Sequence, residues 1–245
     1  PGIKKDSNEF RILTIGDSFV EGYGTSEDST FPKLLEEKLH LINNNITVLN
    51  GGICGSNPRD EFKLYDNRLK IYNPDLVVLE INNGDLEDFR ISECKEKLPF
   101  HEYFYAISHL YRAFYALLYL DTQTKLKKQN KLPKEVNKIT DLIINFKQQL
   151  QKKNIAFVLV YLPLENEIKT KKIELLKFGI IKRKIKFIDL QNEYSNIMIN
   201  NKKDISNYYW KNDGHHTPKG YDLMAKTVAQ QLLKKYLPLK INQNN

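Results

Sequence analysis

Two short segments near opposite ends of the chain carry residue types that could do acyl-transfer chemistry. Gly16-Asp17-Ser18-Phe19 follows directly on the apolar run Arg11–Ile15. A serine in a tight strand-to-helix turn exposes its hydroxyl and leaves its backbone N–H free. That suits a nucleophile whose own amide helps hold an oxyanion. The second segment, Asp213-Gly214-His215-His216, precedes the last helical pattern. A hydroxyl needs a base near neutral pH, and histidine is the side chain whose pKa fits. A neighbouring aspartate can orient the ring and stabilise the imidazolium. Each segment also has an ordinary structural use: Ser and Asp cap helices, and Asp-Gly is a common turn pair. Neither identifies a site alone.

The elements that must position these residues are readable from periodicity. Arg11–Ile15, Ile46–Leu49, Asp75–Ile81, Ala156–Leu162 and Lys186–Leu190 are short apolar runs bounded by turn residues, the pattern of buried strands. Helical spacing marks Phe31–Leu41, with Pro32 near its start where proline is tolerated. It also marks Arg59–Tyr72, Tyr103–Leu120, Val136–Lys152 and Lys219–Tyr236. Strands alternating with helices predict a three-layer α/β/α sandwich around a mostly parallel five-stranded sheet. In such sheets the reacting groups gather at the carboxyl ends of the strands. One domain over residues 1–245 is expected, with 1–10 as an N-terminal tail and 238–245 as a disordered C-terminal one.

Composition narrows the class. The chain has 245 residues, 41% hydrophobic and 28% charged, which fits a globular domain with a sizeable core. No run reaches the ~18–20 apolar residues of a membrane helix. The formal charge is +8, but the lysines are dispersed and no recognised binding module appears, so no nucleic-acid partner is expected. Cys54 and Cys94 do not make a disulfide framework, and metal-ligand spacing is absent, so no metal or cofactor is expected. His40, His101 and His109 sit in helix or loop contexts that suit structural or surface roles. The aromatic stretch Phe100–Tyr119 reads as helix core with an amphipathic lid, and Trp210 as a flank of the cleft.

Together the two chemical segments resemble the SGNH (GDSL-like) hydrolase family. Gly16–Leu39 is similar throughout to that family's opening block. Asn50-Gly51-Gly52-Ile53-Cys54-Gly55 is similar to its N-x-G-x-x-G second block. Pro74–Asp85 resembles the strand entering its third block, and Asp213–Ala225 its last block. The resemblance implies a flavodoxin-like fold and ester hydrolysis through Ser18, a histidine base and Asp213. It also implies an oxyanion hole from Ser18 N–H, Gly55 N–H and an Asn side chain. The substrate would be a small-molecule, glycan or lipid ester. An O-acetyltransferase acting on a cell-envelope glycan, or a non-catalytic glycan-binding module, are the rival readings. The chain begins with Pro1, so membrane or envelope association through a preceding segment is a further expectation, and localisation is left open.

Two departures leave choices. Where the family has Gly-x-Asn-Asp, this chain has Asn82-Asn83-Gly84-Asp85. The oxyanion amide is therefore assigned to Asn83, with Asn82 in reserve. Counting forward from Asp213 selects His216 as the base, whereas counting back from Gly220 selects His215. His215 is the expected base, with His216 as the alternative.

Overall fold

A computed structural model of the chain describes residues 2–95, 108, 110–111, 113–114, 133–201 and 205–237. The elements in order are β1 (Phe10–Gly16), α1 (Ser18–Glu21), α2 (Phe31–His40), β2 (Ile46–Gly52), α3 (Pro58–Asn67), β3 (Leu76–Ile81) and α4 (Asp85–Lys95). There follow α5 (Lys134–Lys152), β4 (Ala156–Tyr161), α6 (Glu165–Thr170), α7 (Leu175–Lys182), β5 (Ile188–Asp189), α8 (Leu190–Asn201) and α9 (Pro218–Lys235). All sheet pairings are parallel, in the order β2-β1-β3-β4-β5. This is the flavodoxin-like order, and the chain reverses its direction of strand addition beside β1.

The strands read as near-continuous apolar runs because both faces are covered. Successive side chains go to opposite faces. Ile12 and Val78 join the cluster under α2 and α9, with Phe31, Leu35, Met224 and Val228. Leu13, Val77 and Leu79 join the cluster under α3 and α5, with Phe62, Tyr65, Ile139 and Phe146. At the amino end of the sheet, the buried Arg11 guanidinium donates to the carbonyls of Gly2, Ile3, Lys4 and Tyr72. The segment ahead of β1 therefore lies against the amino end of the sheet.

Local differences from the expected elements have physical causes. The helix expected over Arg59–Tyr72 stops at Asn67. Arg68 leaves helical geometry, a 3-10 turn follows at Leu69–Tyr72, and Asn73 adopts φ 49° to re-enter the sheet. The last strand is two residues rather than five, since Leu190 already begins α8. Four helices, α4, α6, α7 and α8, lack a clean apolar stripe and do not stand out in the sequence. In α7 the buried face even includes Lys177, whose Nζ donates to Asp189 Oδ1 at 2.9 Å beside β5. Residues 238–245, His101, His109 and most of Tyr103–Leu120 lie outside the described residues.

Candidate active site

β1 ends at Gly16, and the next two residues divide the two uses that the sequence left in competition. Asp17 is the cap: its Oδ1 accepts from Phe19 N at 2.9 Å and starts α1. Ser18 is thereby released from capping. Its Oγ lies 2.7 Å from His215 Nε2.

His215 comes from the loop before α9. Trp210 folds that loop back, donating from its N to His215 O at 2.8 Å and accepting from Gly214 N at 3.0 Å. Gly214 takes φ 81° in this turn. Behind the ring, His215 Nδ1 meets Asp213 Oδ1, which also accepts from His215 N at 3.1 Å. The bond from His215 holds the Asp213 carboxyl below the usual carboxylate range. Phe19 and Tyr23 flank the imidazole, with ring centroids 5.1 and 4.7 Å away.

His216 has the opposite fate. Residues in extended backbone alternate in direction, and His216 forms an isolated bridge with Tyr209, so its ring turns inward as that of His215 turns out. It is fully buried among Phe19, Tyr194, Tyr209 and Tyr221. Its Nε2 faces Tyr194 OH at 3.2 Å, and burial pushes its pKa down to about 3. It remains neutral and does not reach Ser18.

The oxyanion candidates separate in the same way. Gly55 stands opposite Ser18 with φ 70°, a conformation that favours glycine, and nothing lies within 4 Å of the place a Cβ would occupy. Among the described residues neither Ser18 N–H nor Gly55 N–H has a protein acceptor. Asn83 does not line the cleft: its Oδ1 accepts from Leu176 N at 3.4 Å, on α7. Asn82 is also committed. Its Nδ2 donates to Asp17 Oδ2 at 2.9 Å and to Glu80 Oε1 at 3.3 Å, while its Oδ1 accepts from Gly84 N at 2.7 Å. Gly84 lines the cleft at the position where the resemblance places the amide. A Cβ there would lie 2.7 Å from Asn82 Oδ1, so the side chain of Asn82 occupies the space that an asparagine at 84 would need.

Beneath Ser18 lies a group of carboxyls that the sequence reading missed. Asp17, Glu61, Glu80 and Asp85 are all buried. Burial pushes all four upward; in Glu61, Glu80 and Asp85 repulsion from the neighbouring carboxylates adds to it, and these three lie well above the usual range. Glu80 and Asp17 lie together on Asn82, and of the two the wholly buried Glu80 is pushed further upward. Ser56 Oγ donates to Glu61 Oε1 at 3.0 Å, and Asp85 Oδ2 accepts from Asn82 N at 2.8 Å. Two signals for this group were present. Glu80 is the one charged residue within the apolar Leu76–Ile81, and Glu61 shares the apolar face of α3 with Pro58, Phe62 and Tyr65. Among the described residues no three or more His, Cys, Asp or Glu are placed to hold a metal ion.

The cleft over Ser18 has a volume of about 520 Å³. Its walls are Asp17–Phe19, Cys54–Gly55, Asn82, Gly84, Asp88, Leu164–Asn166 and Asp213–His215. Cys54 is a free, exposed thiol, pushed upward first by partial burial and then by the nearby carboxylates Glu21, Asp17, Asp88 and Asp213. Such an arrangement can activate a hydroxyl and hold a developing negative charge with backbone donors.

Comparison with known proteins agrees on the fold. The GDSL-like Lipase/Acylhydrolase family matches residues 12–228. An arylesterase from Vibrio mimicus is 31% identical over 75 residues, 31% of this chain and 38% of that protein. An uncharacterized protein from Mycoplasma pneumoniae is 36% identical over 85 residues, 34% of this chain and 10% of its length. The chain thus matches well under half the length of either relative. Among solved structures, an acetyl xylan esterase, AlAXEase, superposes with a TM-score of 0.58 at 15% identity, over 91% of this chain and 100% of that one. A catalytic variant of an acetylxylan esterase from Geobacillus stearothermophilus gives 0.53 at 16%, over 94% and 96%. At these identities the structural likeness establishes a shared fold.

Proposed function

The chain belongs to the GDSL-like Lipase/Acylhydrolase family, and on that premise we propose that it is a serine esterase acting on acetyl or short-acyl esters. The observation that carries the reading is the 2.7 Å contact between Ser18 Oγ and His215 Nε2, with Asp213 behind the ring. Ser18 Oγ attacks the ester carbonyl while its proton passes to His215 Nε2. Asp213 stabilises the imidazolium that forms and keeps the ring in the right tautomer. The tetrahedral oxyanion lies between Ser18 N–H and Gly55 N–H. His215 then returns the proton to the departing alcohol oxygen, and the acyl group stays on Ser18. Water, deprotonated by the same nitrogen, releases the acid and restores the hydroxyl.

The oxyanion is held by two backbone donors, without a side-chain amide. Loss of one donor costs about 2.7–4 kcal/mol of barrier in a serine hydrolase, so turnover is expected to be modest. Support for a short acyl group comes from the acetyl esterases among the similar folds.

The test is hydrolysis of p-nitrophenyl acetate and butyrate by wild type, Ser18→Ala, His215→Ala and His216→Ala, with fluorophosphonate labelling read by intact mass. Activity and label lost with Ser18→Ala are expected. An inert wild type that takes no label would overturn the proposal. Acyl groups diverted to an added sugar acceptor would make the protein an O-acetyltransferase with the same nucleophile.

A further inference from the structure

The lysines are spread along the chain, but the net charge is not. Of 38 Lys or Arg and 30 Asp or Glu in all, residues 169–186 hold eight and one, which leaves 30 against 29 elsewhere. Nearly the whole net charge of +8 thus lies on one segment, made of α7 and the turns on either side of it. Part of it is neutralised in place. Lys177 is buried against Asp189, Lys169 pairs with Glu165, and Arg183 meets Asp141 on α5. Lys171, Lys172, Lys182, Lys184 and Lys186 are exposed, and none has an ion pair among the described residues.

Between these lysines α7 is apolar on both sides. Leu176, Gly179 and Ile180 are buried, and Leu176 and Ile180 join the cluster under α3 and α5. Phe178 and Ile181, three residues apart and so neighbours on the helix surface, are 38% and 45% exposed. Ile173, two residues ahead of the helix, is 58% exposed. Single exposed apolar side chains are ordinary. Three in one short segment, with unpaired lysines before and after, make a surface that water serves only in part. Anionic lipid headgroups attract the ammonium groups. The acyl boundary beneath takes up Phe178 and the isoleucines while the lysine stems snorkel. A nucleic acid would meet the lysines but stacks its bases on rings, leaving Ile173 and Ile181 in water. Among the described residues no helix is long and apolar enough to cross a membrane, so the contact is interfacial.

We propose that α7 and its flanking turns form a docking surface for an anionic lipid bilayer, on which the protein lies peripherally. Phe178, Ile181 and Ile173 enter the headgroup boundary, and the five lysines hold the surface there. The surface adjoins the cleft without lining it. Leu176 N, at the start of α7, donates to Asn83 Oδ1 in the third block, whereas among the described residues none of 169–186 lines the cleft. The bilayer is therefore where the protein sits, and the ester it cleaves is a separate matter.

Co-sedimentation with vesicles tests it, using phosphatidylcholine alone and phosphatidylcholine mixed with an equal amount of phosphatidylglycerol. Binding to the mixed vesicles is expected, with none to phosphatidylcholine alone, and it should weaken as salt is raised. The triple variant Lys182→Gln, Lys184→Gln, Lys186→Gln should lower the partition coefficient about a hundredfold. The double variant Phe178→Ser, Ile181→Ser should lower it about tenfold. All these side chains are exposed, so both variants should keep the wild-type melting temperature and, without lipid, wild-type hydrolysis of p-nitrophenyl acetate. Ser18→Ala should bind vesicles as wild type does, so the docking surface and the esterase reading stand or fall separately. Equal binding to both vesicles, binding to neither, or mixed-vesicle binding that the lysine variant leaves unchanged would overturn the proposal. Tighter binding to a single-stranded oligonucleotide than to mixed vesicles, unmoved by Phe178→Ser, Ile181→Ser, would make this a polyanion site instead. A dimer that the same double variant splits, with no vesicle binding, would give the face to a second copy of the chain and overturn the lipid assignment.

Discussion

The mouth of the cleft and its floor are built from the same kind of side chain and behave in opposite ways. At the mouth, Asp213 is partly open to water, its side chain 39% exposed, and is held below the usual carboxylate range by His215. On the floor, Glu61, Glu80 and Asp85 are wholly buried and pushed upward, first by burial and then by the neighbouring carboxylates. The histidines repeat the contrast: His215 lines the cleft, while His216, next in sequence, is sealed in aromatic rings and held neutral. Residue type sets what a group can do. Burial and partner set which form it keeps.

The largest expected effect breaks the histidine contrast. His215→Ala should lower kcat for p-nitrophenyl acetate by on the order of 10⁴-fold or more and leave the melting temperature nearly unchanged. His216→Ala should do the reverse, losing about 2–4 kcal/mol of stability through the cavity it opens while Ser18 still takes a fluorophosphonate label. If His216→Ala is the inactive, unlabelled variant and His215→Ala is not, the assignment is wrong.

Asp213→Asn comes next, with a loss of roughly 10²–10⁴ in kcat, because the amide favours the wrong imidazole tautomer. Pre-steady-state assays should show both acylation and deacylation slowed, since the same nitrogen serves each step. A smaller change should follow from exchanging the third-block residues, Asn82→Gly with Gly84→Asn. The exchange moves the amide from the floor toward the mouth, and kcat should rise about tenfold or more, within the bound set by one oxyanion donor. Gly84→Asn alone should not reproduce it, since its Cβ meets Asn82 Oδ1. A single variant as active as the double would show that Asn82 does not block the position.

The smallest effect is in the pH dependence of stability, and here the two regions pull in opposite directions. The floor carboxyls have folded pKa values above their unfolded ones. Their contribution is fully present below the ordinary carboxylate range and is lost as pH rises through the raised values. His216 is depressed to about 3, so its contribution is present above about 6.5 and lost as pH falls toward 3. Urea melts from pH 4 to 9 should therefore show greatest stability between these limits. Glu80→Gln should flatten the decline on the alkaline side and leave the acid side in place. An unchanged alkaline slope in this variant would mean that Glu80 is not protonated on the floor.

Much of this was open to a reader of the sequence. The five apolar runs that became strands and the Gly16–Phe19 turn follow from local periodicity and turn chemistry. So does the loop at Asp213–His216, and apart from the shortened last strand these keep their expected places in the fold. The carboxyl floor was less visible because its members are 68 residues apart in the chain, from Asp17 to Asp85. A lone Glu80 in a strand or Glu61 on a helix face signals little until the two meet.

The sequence by itself determined the order of the five strands along the chain, the longer amphipathic helices between them and the chemical character of both ends of the site. Alternating burial and turn residues are properties of neighbours along the chain. Only the tertiary structure decided which histidine faces Ser18, because adjacent residues of a bridge point opposite ways and the choice depends on what packs behind them. It alone decided where the amides of the third block go. Asn82 is drawn to Asp17 and Glu80, carboxyls that need a donor once burial has taken their water, and Asn83 turns to α7. A hydrogen-bond donor serves the acceptor nearest in space, and sequence order does not fix that distance.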